Sequence, residues 1–379
     1  MSTLKVDTLK NGSSSAIDFP QNLKIGGAGI IQGYTVASSA PSSPATGDYW
    51  WDSSNEKLYR YINGEFKELT VSPAAVNYGD RGFTIGDDGT TDPTRIQYFN
   101  LASASNAADF GDLTVGVAEG AAASNGTKAF RMGGHNAASS PSHQNVIESW
   151  TTSTLGNSTD HGDLSGTCHY SHGNSDGTTG ICVLGYSGGY SDTIDRFTMA
   201  SAGNATDHGN LTYARAYGGS SASVTSARMI NWAGYNSAGG YHDDNDYITI
   251  TTAGNAVDFG DLAVPNHYCT GVGTGSGDRG LQLGGKENPG SGGVFHDRIQ
   301  YNDLNTLGNA TDAGNLLTTN GEHCAGMNTA THGFKAGGYN GSYFNTIQRT
   351  VLATGANATD WGDLLLATYD NAGTSGSPS

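Results

Sequence analysis

Three groups of residues in this chain have the chemistry to bind or react. The first is metal-like: eleven histidines, four cysteines (Cys168, Cys182, Cys269, Cys324), and the oxygen-rich run YHDDND over residues 241–246. His169 and His172 stand close together, but neither they nor the acidic run have the ligand spacing that fixes zinc or calcium. The cysteines form no C-x-x-C pair, so small buried thiols are expected rather than a metal centre or a disulfide framework. The second group would be nucleophilic, and it is not legible. No G-x-S-x-G elbow, phosphate loop or dinucleotide fingerprint lies between a strand and a helix. The expectation is no enzyme, no catalytic residue, no bound metal and no cofactor. The third group is aromatic. His143, Tyr190, Tyr241, His242, Phe295, Tyr343 and Phe344 lie in Asn-, Asp-, Ser- and Gly-rich loops of unequal length. Rings beside hydroxyl and amide groups suit sugars, whose C–H faces pack on the rings while their hydroxyls hydrogen-bond. These seven are the candidate binding residues. His143, Tyr190, Phe295 and Tyr343 each stand four residues before an isoleucine, so a packing role in a repeat is the competing reading.

The elements that must position those rings are set by a repeat. Six related octapeptides recur: NAADFGDL from Asn106, NSTDHGDL from Asn157, NATDHGNL from Asn204, NAVDFGDL from Asn255, NATDAGNL from Asn309 and NATDWGDL from Asn357. Their central aspartates, at 109, 160, 207, 258, 312 and 360, give a period of 47 to 54 residues, the mark of kelch-like propeller blades. Within each unit the leucine leads into a polar strand such as residues 211–219. Next come an apolar strand ending in Gly-Gly or a variant, a variable loop, and a strand carrying an isoleucine (Ile96, Ile147, Ile194, Ile248, Ile299, Ile347). The Asn-x-x-Asp-x-Gly motif is expected to be a turn toward the next unit, with Asn and Asp accepting local backbone hydrogen bonds and glycine allowing close approach. The first unit lacks its opening strand, and residues 365–373 match what is missing. The fold expected is therefore all-β: a six-bladed kelch-like propeller over residues 71–379, closed by the C-terminal strand, which removes exposed sheet edges.

Composition agrees with many short strands. Hydrophobic residues make up 36% and charged residues 14%, below the usual charged quarter, while glycine supplies 57 residues with only 9 prolines. The formal charge of −17 argues against nucleic acid and anionic membranes as partners. No apolar run approaches the ~18 residues of a membrane span. Residues 1–70 hold five of the eight lysines, so a boundary is placed near residue 70. Residues 1–35 read as an extended arm that orders on a partner, with Leu4, Val6 and Leu9 as its candidate docking side chains. Residues 36–48 read as a Ser/Pro/Ala linker, and residues 49–69 as a small β unit with a hairpin turn at Asn63–Gly64.

Several of these segments carry a resemblance. The opening STLKVDTLK, the stretch APSSPATGDYWWD over residues 40–52 and LYRY after it are similar to tail-fibre proteins of marine tailed phages, notably cyanophages. The NATDFGDL-type repeats with Gly-Gly-Tyr-Asn resemble kelch-like arrays in such virion proteins. The motif is only partly similar to the Asp-box turn of sialidase propellers, which wants Ser or Thr two residues before the Asp. The resemblance implies a virion (tail) protein, made in the host cytoplasm, whose N-terminal arm docks on other tail or virion proteins and whose propeller binds a host-surface glycan or protein. Because fibres are commonly trimeric, it also implies a homo-oligomer. A purely structural virion component and a depolymerase are the alternatives.

Overall fold

The computed structural model describes residues 34–52, 54, 57–62, 64–68, 80–86, 93–223, 227–238, 240–272, 279–287, 293–319 and 324–376. Leu4, Val6 and Leu9 lie outside them, as does Asn63 of the expected turn. The chain is all-β and divides between Ser72 and Pro73 into two compact units.

The first unit contains one sheet. Tyr34–Ala37 runs parallel to Tyr49–Asp52, which pairs with Lys57–Ile62 and then Glu65–Glu68. Its first strand takes in residues that composition assigned to the arm and the linker. Trp50 is buried, stacks on Tyr59 at 4.8 Å between ring centres, and donates its indole N–H to the Ala37 carbonyl at 3.0 Å. That bond holds the residue 34–37 strand against a core too small to hold it by burial alone.

The second unit consists of successive antiparallel meanders. The first sheet holds Arg81–Ile85, Arg95–Asn100 and Ala108–Asp112; the second Ala121–Ser124, Lys128–Met132, Gln144–Thr151 and Thr159–Cys168; the third His172–Ser175, Thr179–Val183, Thr193–Thr198 and Thr206–Asn210. The fourth holds Gly219–Ser223, Arg228–Trp232, Gly240–Thr249 and Val257–Asn266, with Gly234–Asn236 paired beside them. The fifth contains Thr270–Val272, Arg279–Leu283, Arg298–Asp303 and Thr311–Asn315; the sixth Ala325–Asn328, His332–Ala336, Phe344–Val351 and Thr359–Thr368. Ala372–Gly376 leaves the sixth sheet and pairs antiparallel with Arg81–Ile85, giving the first sheet its fourth strand.

Two expectations shift. The strand that follows each motif leucine starts later than the polar run: residues 211–218 are bends and turns, and the strand is Gly219–Ser223. The C-terminal strand is displaced in the same way, to Ala372–Gly376. The Asn-x-x-Asp-x-Gly motif is also not a chain reversal, because its Asp and Gly lie inside the outermost strand of each sheet. Register skips one residue there: Ile96 faces Gly111 and Gln97 faces Asp109, leaving Phe110 bulged. The skipped residue turns inward, so Phe110, His161, His208, Phe259, Ala313 and Trp361 are all buried.

The same motif fastens each sheet to the next. Its Asn side chain accepts the backbone N–H of the preceding motif: Asp112 to Asn157, Asp163 to Asn204, Asn210 to Asn255, Asp261 to Asn309 and Asn315 to Asn357, all at 3.0–3.2 Å. The series continues from the last motif to the first, with Asp363 N–H donating to Asn106 at 3.1 Å. The glycine allows this approach. At Gly162, φ is +148° and a Cβ would lie 2.3 Å from the Gly203 carbonyl oxygen. Gly162→Ala is therefore expected to cost about 3 kcal/mol, measured as a lowered urea midpoint. An unchanged midpoint would show that the two strands are free to separate.

The core follows the same order. Phe83 meets Trp150 between the first and second sheets, and Phe130 meets Phe197 between the second and third. Ile194 packs with Ile248, Trp232 with Leu304, and Leu316 with Leu352 at the succeeding junctions. Phe99 of the first sheet meets Phe334 of the sixth. Beneath these clusters a second set of latches repeats. A buried carboxylate or amide, directly after the strand isoleucine or, in the fourth sheet, after Asn245 in the isoleucine's place, accepts the N–H of the residue after the preceding motif leucine: Thr114 to Glu148, Ser165 to Asp195, Thr212 to Asp246, Ala263 to Gln300, Leu317 to Gln348 and Leu365 to Gln97. Glu148 also holds Arg131, whose side chain is 1% exposed. Glu148→Ala would strand that guanidinium and is expected to cost about 3–5 kcal/mol, while the pair Glu148→Gln with Arg131→Met should recover most of it. Chemical denaturation of both variants checks this.

Candidate functional site

One end of the second unit gathers the aromatic residues, and strand pairing places them. The residue after each glycine pair faces, across the strand pair, a residue ahead of the isoleucine strand: His135 with His143, Tyr186 with Tyr190, Tyr235 with Tyr241, Lys286 with Phe295 and Tyr339 with Tyr343. A third residue comes from the approach to the innermost strand. His169 bridges to Tyr186 and His267 to Lys286, so rings of one sheet meet rings of the next. His143 stacks on His169 at 4.1 Å, Tyr190 meets Tyr235 at 5.8 Å, and Tyr241 meets His267 at 4.4 Å. Contacts pass unbroken from His135 to Tyr268. In the sixth repeat, Tyr339, Tyr343 and Tyr369 lie 5.0–5.5 Å apart, with Phe295 of the fifth at 6.4 Å.

Beside the arc runs a row of unusual backbone. Glu119, Tyr170, Tyr217, Tyr268 and Asp370 occupy equivalent places ahead of the innermost strands, all with φ between 50° and 64°. Residues with a side chain rarely adopt such angles unless surrounding contacts hold them there. Backbone bonds do so from sheet to sheet: Glu119 N–H to the Asp370 carbonyl at 2.8 Å, Tyr217 to Tyr170 at 3.3 Å and Tyr268 to Tyr217 at 2.7 Å. The left-handed turn lets Tyr170 and Tyr217 approach to 4.0 Å between ring centres. Beneath them a narrow cavity is lined by the innermost strands, mostly glycine, alanine and serine, with His172, Cys269 and Cys324. All four cysteines are free and buried.

Burial and mutual repulsion set the charges of the arc. Burial, with His143 and His135 beside it, pushes His169 down to about 4, and burial pushes His267 down to about 3. His143 is lowered as well. Burial and the Glu119 carboxylate raise Tyr170, burial and Tyr190 raise Tyr217, and Tyr190 rises chiefly by burial. At neutral pH His143, His169 and His267 are therefore neutral imidazoles and Tyr170, Tyr190 and Tyr217 neutral phenols, suited to stacking and hydrogen bonding rather than to proton transfer. Among the described residues no group of three His, Cys, Asp or Glu is arranged to hold a metal. The oxygen-rich run is divided up internally: Asp246 pairs with buried Arg215 at 2.9 Å, and Asp244 hydrogen-bonds His242 at 3.3 Å.

Of the residues singled out by sequence, His143, Tyr190, Tyr241, Phe295 and Tyr343 belong to the arc through the ring and cross-strand contacts just given. His242 and Phe344 each follow an arc residue by one position in an extended strand, so their side chains turn to the opposite face. His242 lies against Tyr213 at 4.3 Å instead. Residues 240–246, expected to be loop, are strand. His169 and His172, three residues apart in sequence, separate: His169 joins the arc, and His172 is buried with its Nε2 3.3 Å from Asn231. Sequence reading overlooked His135, Tyr186, Tyr235 and Tyr339, which follow the Gly-Gly pair or its single-glycine variant, and Tyr170, His267 and Tyr268; it weighed His169 only as a metal ligand. The column after each glycine pair was the available signal.

Compared with known proteins, the chain matches no protein-family model and no curated protein.

Proposed function

We propose that the second unit is a six-bladed propeller, closed by its C-terminal strand, whose aromatic arc binds a glycan on a host surface. We further propose a tail-fibre-like virion protein that binds without catalysing a reaction, is attached through its N-terminal arm to other virion proteins, and is present as a homo-oligomer. The observation that carries the binding reading is the unbroken run of ring contacts at one end of successive sheets. Six sequential core clusters and the latch from Asp363 to Asn106 support the closed ring. Tyr343, in ring contact with Tyr339 and Tyr369, is 48% exposed, so its face is open to a ligand.

Adsorption of the full-length protein to host cells tests this reading. Tyr343→Ala is expected to weaken adsorption roughly tenfold, the worth of one stacked ring, while changing stability by less than about 0.5 kcal/mol. Antibody labelling of purified particles should find the protein on the tail. Wild-type protein that leaves host cells bare would end the receptor reading.

A further inference from the structure

We propose that the arc takes an extended, uncharged glycan chain several sugar units long, bound along successive sheets rather than by a single terminal sugar. This inference rests on the reading of the arc as the receptor site.

The length follows from repetition. The second, third and fourth sheets each contribute a cross-strand ring pair, His135–His143 at 5.6 Å, Tyr186–Tyr190 at 5.2 Å and Tyr235–Tyr241 at 5.1 Å. These pairs are bridged without a gap by His169 and by the Tyr190–Tyr235 contact. A single sugar covers one such platform and leaves the others wet. A polymer with a repeating unit meets a repeating row of platforms, and each added unit gains another stacking face.

The absence of ligand charge follows from what surrounds the rings. His169 and His267 are buried and neutral at pH 7, so they place no charge beneath the rings, and the phenols of Tyr170 and Tyr217 are neutral donors whose natural partners are hydroxyl groups. Binding a uronic or sialic acid calls for a guanidinium clamp. The two buried arginines nearest the arc are committed elsewhere, Arg131 to Glu148 and Arg215 to Asp246. Lys286 brings one cation to the arc, lying 4.8 Å from the centre of the Phe295 ring. Against it stands Glu119, whose Oε2 is 3.9 Å from His169 Nε2. Residues 71–379 carry sixteen of the chain's seventeen net negative charges, so a polyanion would approach against the field of the whole unit.

The test uses the full-length protein with host-surface polysaccharide, partly depolymerised and separated into neutral and acidic fractions of defined length, alongside adsorption to intact cells. Calorimetric titration is expected to show binding to the neutral fraction, with affinity rising at least about tenfold from one unit to four. That affinity should be unchanged between about 0.05 and 0.3 M salt. Binding to the acidic fraction that fades with salt, or equal binding of single units and long chains, would overturn this inference and leave the receptor reading intact. Adsorption to cells with no binding to any polysaccharide fraction would overturn it too. Failure to adsorb at all removes both.

Discussion

Truncation after Asn371 is expected to abolish cooperative folding of the second unit. Residues 372–376 pair with Arg81–Ile85 over their whole length, and the strand also lies beside Ala325–Asn328 and Ala121–Ser124. Close approach there leaves no space for substitutes: a Cβ on Gly373 would fall 2.7 Å from the Gly326 backbone nitrogen. Loss of the strand removes a five-residue ladder, strips Ala372 from the core around Phe83, and leaves the Arg81–Ile85 edge unpaired. The four to six hydrogen bonds of a five-pair antiparallel ladder alone make the cost about 4–6 kcal/mol, comparable to the whole stability of many domains. Urea denaturation followed by far-ultraviolet circular dichroism measures it. Gly376 sits beside Arg81 in the antiparallel register, so residues 372–376 followed by Asn-Gly and grafted ahead of Asp80 in the truncated chain should form a hairpin with a three-residue loop and restore the transition. A truncated protein that unfolds at the wild-type midpoint would show that the last strand closes nothing.

The second large effect is expected in acid. Burial holds His169 and His172 neutral down to about 4 and His267 down to about 3. In the unfolded chain they titrate near 6.5. The unfolded state therefore takes up protons first as pH falls. The stability these groups allow is fully present above about pH 6.5 and is lost progressively from there to about pH 3, on the order of several kcal/mol in all. Asp246 extends the loss to lower pH, because Arg215 and Thr212 hold its carboxyl below the ordinary range. Asp195 works the other way: burial raises it, so the folded state gains a proton early and stability with it. The thermal midpoint should fall between pH 7 and pH 4.5, with a shallower slope for His169→Gln. Receptor binding should hold over that interval and weaken only near pH 4, where protonating His169 places a charge in its ring stack with His143, 4.1 Å apart. A midpoint flat across that interval would show that the buried imidazoles are solvated or already charged.

Much of the architecture was legible because the repeat is dense in residues with one backbone consequence. The octapeptide ends in a leucine that is buried in every copy and contains a glycine on which the next repeat leans. A period of 47 to 54 residues is about what four short strands and their turns consume. The bulge was not legible. Asn, Asp and Gly serve turns and bulges alike, and only the partner strand, offering Ile96 and Gln97 in shifted register, makes the motif part of a strand. Strand starts were misplaced for a related reason: residues 211–218 look strand-like, but their hydrogen bonds go to neighbouring repeats rather than along a ladder.

Local composition and spacing by themselves determined the all-β class, the repeat and a list of aromatic side chains on its loops. Tertiary structure decided which of those rings meet. Neighbours in sequence, such as Tyr241 and His242, part to opposite faces of a strand, while His143 and His169, on different sheets, stack face to face. Contacts of that kind depend on the rotation of one sheet against the next, set by buried latches such as Thr114 to Glu148 and by bulky cores between sheets. Such long-range packing leaves no local pattern in the chain.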